Sequence, residues 1–467
     1  MDLVAPPRTP VRYRGMAMPK LLSAPPFRHV HDREIFHLAV PTFFALVSEP
    51  LFLLTDSAVV GTLGTQALGG LGVASQVLMT LANLCIFLAY GTTAAVARKF
   101  GAGDMPGGIR NGVDGLWLAL IIGLAVVVVG QAAAPWLVQV LGASPDVAPY
   151  ALTYLRISLL STPALLIIMA GTGVLRGLHN AKTPLVVSVA SNLANIALAV
   201  TFVLGLGWGI AGSAWATVIA QTAGAAVYIT VVVRAARRHD VALAPDVAGL
   251  KASAAAGVAL FTRTLSLRVV LVVTTAVAAR LGDHEIAAHQ VAFQIWSLLV
   301  FAMDAIAIAG QAIIGRYLGA GDRTGTRAAT RRMVEWGVLI GVLFGALVLL
   351  IRPWAPLPFT SDPQVHALIL STLILVAVLQ PVSGVVMVLD GILMGAGDQR
   401  YLAWASLWTM LVFLPLAALV LWTTPEGAGT GLFRLWLAFG VWICARGLTL
   451  GFRARGSAWL VTGATRA

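Results

Sequence analysis

Charge is what this sequence has least of. Asp, Glu, Lys and Arg together make up 11% of its 467 residues, where soluble domains carry about 25%, so a water-facing surface is excluded for most of the chain. Cysteine is nearly absent: Cys85 and Cys444 both fall inside apolar runs, which leaves no disulfide framework and no CxxC metal or redox motif. No GxxxxGK[ST] phosphate loop occurs, so the chain has no means of its own to draw on ATP. The eight histidines are scattered, and His29 with His31 is too little for a metal site. No Ser/His/Asp arrangement stands out, and the GxGxxG at 207–212 follows an apolar run instead of a strand, which makes it a turn. These absences argue against an enzyme, a bound cofactor or a metal. The net charge of +12 does not argue for a nucleic-acid partner either, because no soluble domain remains to carry a basic patch.

What is there in abundance is apolar sequence, 59% of the chain. A bilayer core of about 30 Å needs about 20 apolar residues per helix. Such runs occur near 35–63, 67–98, 112–134, 147–176, 183–205, 209–233, 253–281, 285–316, 332–352, 364–395, 400–422 and 431–452. The expectation is an all-α integral membrane protein with twelve transmembrane helices. Lys and Arg sort to one side of this plan: the start of the chain, the even-numbered connections and the end hold nearly all of them, and the opposite side holds only Arg280, Arg352 and Arg434 near its edges. The positive-inside rule then places both termini in the cytoplasm of a cell inner membrane. Residues 1–33, rich in Pro and Arg, read as an uncleaved cytoplasmic tail.

The chain also matches itself at one offset of 218 residues, without a gap. GAGD at 101–104 falls on GAGD at 319–322, Pro163 on Pro381, Gly173 on Gly391 and Gly177 on Gly395. Six helices per repeat is an even number, so two six-helix lobes enter the membrane in the same sense, related by a pseudo-twofold axis along its normal. The expected boundaries are an N-lobe over 34–233, a charged cytoplasmic linker over 234–252 and a C-lobe over 253–467.

Against this background one stretch is anomalous. Residues 41–64 are apolar enough to span a bilayer yet contain Glu49 and Asp56. At 100° per residue, Thr42, Glu49 and Asp56 share one helix face to within about 20° per step. A charge at mid-membrane costs about 2.5–3.5 kcal/mol on insertion scales, so such a face belongs in a bundle interior or an aqueous cavity, where it marks an ion pathway. Pro41 and Pro50 interrupt the helix ladder around the acids. A buried acid that serves structure only is the alternative. Departures from the repeat point the same way: Asp56, Asn195 and Thr217 fall on Thr274, Phe413 and Leu435, so the first lobe holds a polar group where the second is largely apolar. The second lobe has its own acids. Asp390 reads as a cap or ion pair, and Asp304 either pairs with Arg263 or Arg268 or forms a second functional site.

The stretch EPLFLLTDSAVVGTLGTQALGGLG, the GAGD motif after the second helix, LRGLHNAKTPL and LDGILMGAGDQR resemble the multidrug and toxic compound extrusion (MATE) transporters, in particular their DinF-like branch, over nearly the whole chain after residue 33. The resemblance implies a V-shaped, two-lobed antiporter that expels amphipathic small molecules by alternating access, driven by protons or Na⁺. It implies that Asp56 is the protonation site, that the first helix bends near Pro41, and that Asn195 and Thr217 line the cavity. One departure is Ala199, where some members carry a second aspartate. Asp56 would then act with weaker partners, with Glu49 as a possible second carboxylate, and protons are expected over Na⁺, which two carboxylates suit better than one. Competing readings are a Na⁺-coupled exporter, a flippase for a lipid-linked substrate, and a membrane-embedded enzyme or receptor. The expected partners are amphipathic small molecules and the lipid bilayer, with the protein a monomer.

Overall fold

A computed structural model describes residues 30–424 and 430–465, except for the side chains at 30 and 49–52. The tail expected at 1–33 lies almost wholly outside the described residues, as do the side chains of Glu49 and Pro50. The helices are α1 (Val30–Gly61), α2 (Thr65–Cys85), α3 (Phe87–Gly101), α4 (Met105–Val140), α5 (Ala148–Leu159), α6 (Thr162–Gly177), α7 (Lys182–Val200), α8 (Gly209–Arg238), α9 (Val247–Leu281), α10 (Asp283–Gly319), α11 (Arg323–Ile351), α12 (Pro363–Gly395), α13 (Gln399–Thr423) and α14 (Gly431–Arg455). Eleven candidate spans, with α2 and α3 counted as one, are long and apolar enough to cross a membrane, and α5 with α6, bent by 49°, makes a twelfth. Large apolar side chains such as Val128, Leu298, Leu343 and Trp422 face outward, as a lipid-facing surface requires.

The repeat is built into the backbone. The α2–α3 span (65–101) and α10 (283–319) begin and end 218 residues apart, as do the starts of α4 and α11. The GAGD motifs explain why. Gly103 and Gly321 take positive φ values of 76° and 79°, a left-handed turn that ends a helix and that glycine adopts without a Cβ penalty. Asp104 and Asp322 then cap the next helix, each Oδ1 accepting from a backbone N–H, of Gly107 at 2.9 Å and of Gly325 at 2.7 Å. The leading glycines allow the two repeats to touch. A Cβ on Gly101 would lie 2.0 Å from the Arg316 carbonyl oxygen, and one on Gly319 would lie 2.0 Å from that of Arg98. Arg98 and Arg316 are themselves repeat mates, so α3 and α10 cross backbone to backbone on the pseudo-twofold axis.

This crossing forms a seal at the end of the molecule that bears both described chain ends. Arg98 donates to the carbonyls of Ala396 at 3.0 Å, Val461 at 2.7 Å and Gly463 at 3.3 Å, which fastens the segment after α14 across both lobes. The start of α1 reaches over as well: Asp32 accepts two bonds from Arg332, at 2.6 and 2.9 Å, and one from the Trp336 indole, while Glu34 pairs with Arg316 at 2.7 Å.

The backbone departs from the sequence expectation in four places. The connection expected over 234–252 is shorter, because α8 continues to Arg238 and α9 starts at Val247. Asp246 causes the early start by accepting from the N–H groups of Ala248 and Gly249. The run 67–98 is broken at Ile86, and 147–176 is broken at 160–161, ahead of Pro163. The repeat mates of these breaks, in α10 and in α12 at Pro381, run unbroken. A π-helical turn, Thr201–Gly205, also interrupts only the first repeat, before Gly207 and Gly209 turn the chain with positive φ. All three irregularities lie in the first lobe.

Candidate cation-coupling site

Asp56 lies near the end of α1 remote from the seal, 3% exposed. Its carboxylate accepts two hydroxyl hydrogen bonds, from Ser213 Oγ on α8 to Oδ1 at 2.5 Å and from Tyr154 on α5 to Oδ2 at 3.2 Å. Neither donor carries charge, and Asp56 makes no ion pair among the described residues. One turn along α8, Thr217 bonds back to the Ser213 carbonyl at 3.3 Å and accepts from the Asn195 amide on α7 at 3.2 Å. Asn195 Oδ1 is buried without a partner among the described residues. The five residues thus form one chain of contacts that runs from Tyr154 through Asp56, Ser213 and Thr217 to Asn195.

The structure therefore brings together Asp56, Asn195 and Thr217, but through an intermediary. Asp56 touches neither of the others directly. Sequence reasoning missed Ser213 and Tyr154, although a signal was available: Ser213 sits one turn before Thr217, on the same helix face, and the repeat mates of Ser213 and Tyr154 are Gly431 and Thr372. At the corresponding place in the second lobe, Thr274, Phe413 and Leu435 are buried, and the Thr274 hydroxyl is spent on its own helix at Val270. Two of the backbone irregularities accompany this polar group. The break between α5 and α6 follows Tyr154 by less than two turns, and the π-turn follows Asn195 by less than two turns. π-Helical turns are frequent at functional sites because they re-aim side chains.

Thr42 is buried on the line expected from the sequence, and α1 runs as helix through Pro41 and Pro50. Between the prolines, Ser48 is tied to α7 through Ser188 at 2.9 Å and Asn192 at 3.2 Å. Ala199 packs with Val59, Val203 and Ala216, so an apolar contact stands where a second carboxylate was considered.

The acids of the second lobe have different surroundings. Asp390 is held by two arginines, Arg263, with Nε at 3.1 Å and Nη2 in contact, and Arg446 at 3.3 Å. Asp304 lies beside Tyr90 and faces Arg263 and Arg176. Arg268 is exposed and takes no part. Among the described residues no group of three or more His, Cys, Asp or Glu could hold a metal ion.

Two repeated six-helix lobes sealed at one end define a two-lobed membrane transporter. The solved structure titled "Crystal structure of MATE in the bent conformation" superposes with a TM-score of 0.83 over 91% of this chain and 94% of that one, at 22% identity. The MatE family model matches residues 41–201 and 247–419, and the chain belongs to the MATE family. Among its relatives, "DNA damage-inducible protein F" of Escherichia coli (strain K12) is 30% identical over 90% of this chain and 91% of its own length. "Protein DETOXIFICATION 44, chloroplastic" of Arabidopsis thaliana is 29% identical over 88% and 81%.

Proposed function

We propose that this transporter is an antiporter that exports amphipathic organic compounds in exchange for protons by alternating access, with Asp56 as the coupling group. The observation that carries the reading is the bonding of Asp56. A carboxylate held by two hydroxyls, with no cation in reach, gains or loses a proton without breaking an ion pair, whereas Asp390 is locked between two guanidiniums. Protonation removes the acceptor charge that Ser213 and Tyr154 now satisfy, which frees α1 to shift against α5, α7 and α8. The short π-turn and the break between α5 and α6 give those partners room to adjust. Pro41 and Pro50 weaken the α1 ladder on either side of Glu49, which supports a change of bend in that helix. The N- and C-lobes expected from the sequence would act as the two moving bodies.

The Arg-rich end that carries the seal is assigned to the cytoplasm of a cell inner membrane, so the described state is closed towards the cytoplasm. Proton coupling is preferred to Na⁺ because the described residues place one carboxylate in the Asp56 group, and Na⁺ favours several oxygen ligands including carboxylates. The test is gradient-driven efflux from proteoliposomes with Asp56→Asn, which retains shape and polarity but cannot titrate. The variant should insert and bind substrate while efflux driven by a proton gradient is lost. Efflux at the wild-type rate would remove Asp56 from the coupling role, and loss under a Na⁺ gradient alone would reassign the ion.

A further inference from the structure

The buried charges between the lobes do not balance. About 16 Å along α3 from the seal, Tyr90 of α3 and Arg176 of α6 come from the first lobe to meet Arg263 of α9, Asp304 of α10, Asp390 of α12 and Arg446 of α14. Three guanidiniums face two carboxylates. Asp390 is shared by Arg263 and Arg446, and Asp304 lies beside Tyr90. Arg176 has no carboxylate within ion-pair distance among the described residues, and its Nε is sealed from solvent without a hydrogen-bond partner.

The scaffold does not require these charges. The repeat mates of Asp390 and Arg446 are Thr172 and Tyr228, which make a neutral hydrogen bond of 2.9 Å at the equivalent place in the first lobe. Arg176, Arg263 and Asp304 have Met394, Ala45 and Ile86 as mates. The same fold therefore holds together at these positions with uncharged groups, so the charges are an addition to the repeat. An unpaired cation in a low-dielectric interior is costly and marks a ligand or ion pathway, and the interface between repeats is where transporters of this build bind substrate. Arg176 and Asp304 are the members that retain partial exposure.

We propose that Arg176, Arg263 and Arg446 form a binding site between the lobes for the anionic group of the substrate, and that the exported amphipathic compounds are organic carboxylates. This rests on the export reading above. Arg176 supplies the free planar donors that match a carboxylate, Arg263 and Arg446 supply the field, and the apolar lobe faces take the hydrocarbon body. Because Arg176 belongs to one lobe and Arg263 to the other, a bound carboxylate contacts both.

The test is equilibrium binding to the purified full chain in nanodiscs, without any gradient, using pyrenebutyrate, its methyl ester and the trimethylammonium analogue, which share one apolar body. Pyrenebutyrate should bind about 10- to 100-fold more tightly than the other two, the range expected for charge-assisted hydrogen bonds. Arg176→Met, which installs the residue of the repeat mate, should erase that preference while leaving ester binding unchanged, and Arg176→Lys should restore part of it. Binding of the three probes within twofold of one another in the wild type would overturn the proposal, and that comparison needs no variant to fold. An acid preference that survives Arg176→Met would also overturn it. Since no gradient is applied, failure of proton coupling at Asp56 leaves this result untouched, and failure here leaves the coupling test untouched.

Discussion

Replacing Gly319 by alanine should loosen the seal between the lobes. The added Cβ would meet the Arg98 carbonyl oxygen at 2.0 Å, and both atoms belong to the backbone of long helices, so neither yields by changing a rotamer. The helices must part by about 1 Å or more, because packed interiors have no slack to absorb a methyl group. Overpacking of this kind costs about 1–3 kcal/mol, charged only to the state in which α3 and α10 touch. That cost shifts the equilibrium towards the separated state by about 5- to 150-fold. The assay places a single cysteine at Ala312, buried on α10 two turns from Gly319, in a background without Cys85 and Cys444, and follows its labelling by an impermeant thiol reagent. Labelling should accelerate by about that factor in Gly319→Ala, and equally in its repeat mate Gly101→Ala. Gly72→Ala, where a Cβ meets nothing within 4 Å, should leave the rate unchanged. Unchanged labelling in both seal variants would refute the idea that glycine contact holds this end shut.

The ion pairs of the second lobe and the helix caps give two further expectations. Asp390→Asn leaves Arg446 buried without a countercharge and Arg263 with Asp304 alone, which should cost about 3–5 kcal/mol and lower the thermal unfolding temperature in detergent. Thr172→Val, which removes only the neutral bond at the equivalent place, should cost about 1 kcal/mol. Equal effects would contradict a structural role for the Asp390 pairs. At the GAGD turn, a hydrogen bond from Lys99 and another from the Gly107 N–H hold the Asp104 carboxyl below the usual carboxylate range. A carboxyl so shifted stabilises the fold above its ordinary titration range and ceases to do so as pH falls through its folded value. The effect is small because solvent reaches the half-buried Asp104 and screens its charge. Asp104→Ala should therefore lower stability by about 1 kcal/mol at neutral pH and by less in acid, measured by thermal unfolding across that range, and a constant difference would exclude the cap.

The fold was largely legible because a membrane leaves few options. Apolar runs of span length must be helices, and a constant offset of 218 residues pairs them off. The first-lobe pocket was partly legible for the same reason. At Asp56, Asn195 and Thr217 a polar residue replaces an apolar repeat mate or a weaker polar one, a contrast visible without coordinates. Ser213 and Tyr154 escaped notice because serine replacing glycine and tyrosine replacing threonine are mild contrasts until the bond to Asp56 is seen. The break at Ile86 and the π-turn at 201–205 carry no proline and little change of composition, so nothing in the local pattern announces them. The setting of Asp304 was only half readable. Its facing partner Arg263 lies in the preceding helix, but Tyr90 and Arg176 belong to the other repeat and reach it only through the packing of the lobes. The early start of α9 follows from one residue, Asp246, whose capping role depends on the helix that it starts.

The most direct test of the central claim is proton release on substrate binding. Purified protein in a weakly buffered detergent solution containing a pH indicator is mixed with a transported substrate under conditions where Asp56 is protonated. The account predicts release of about one proton per substrate bound in the wild type, since substrate and proton exclude one another through coupled equilibria, and none in Asp56→Asn despite retained binding. Equal release from the wild type and Asp56→Asn would contradict it and place the coupling proton elsewhere.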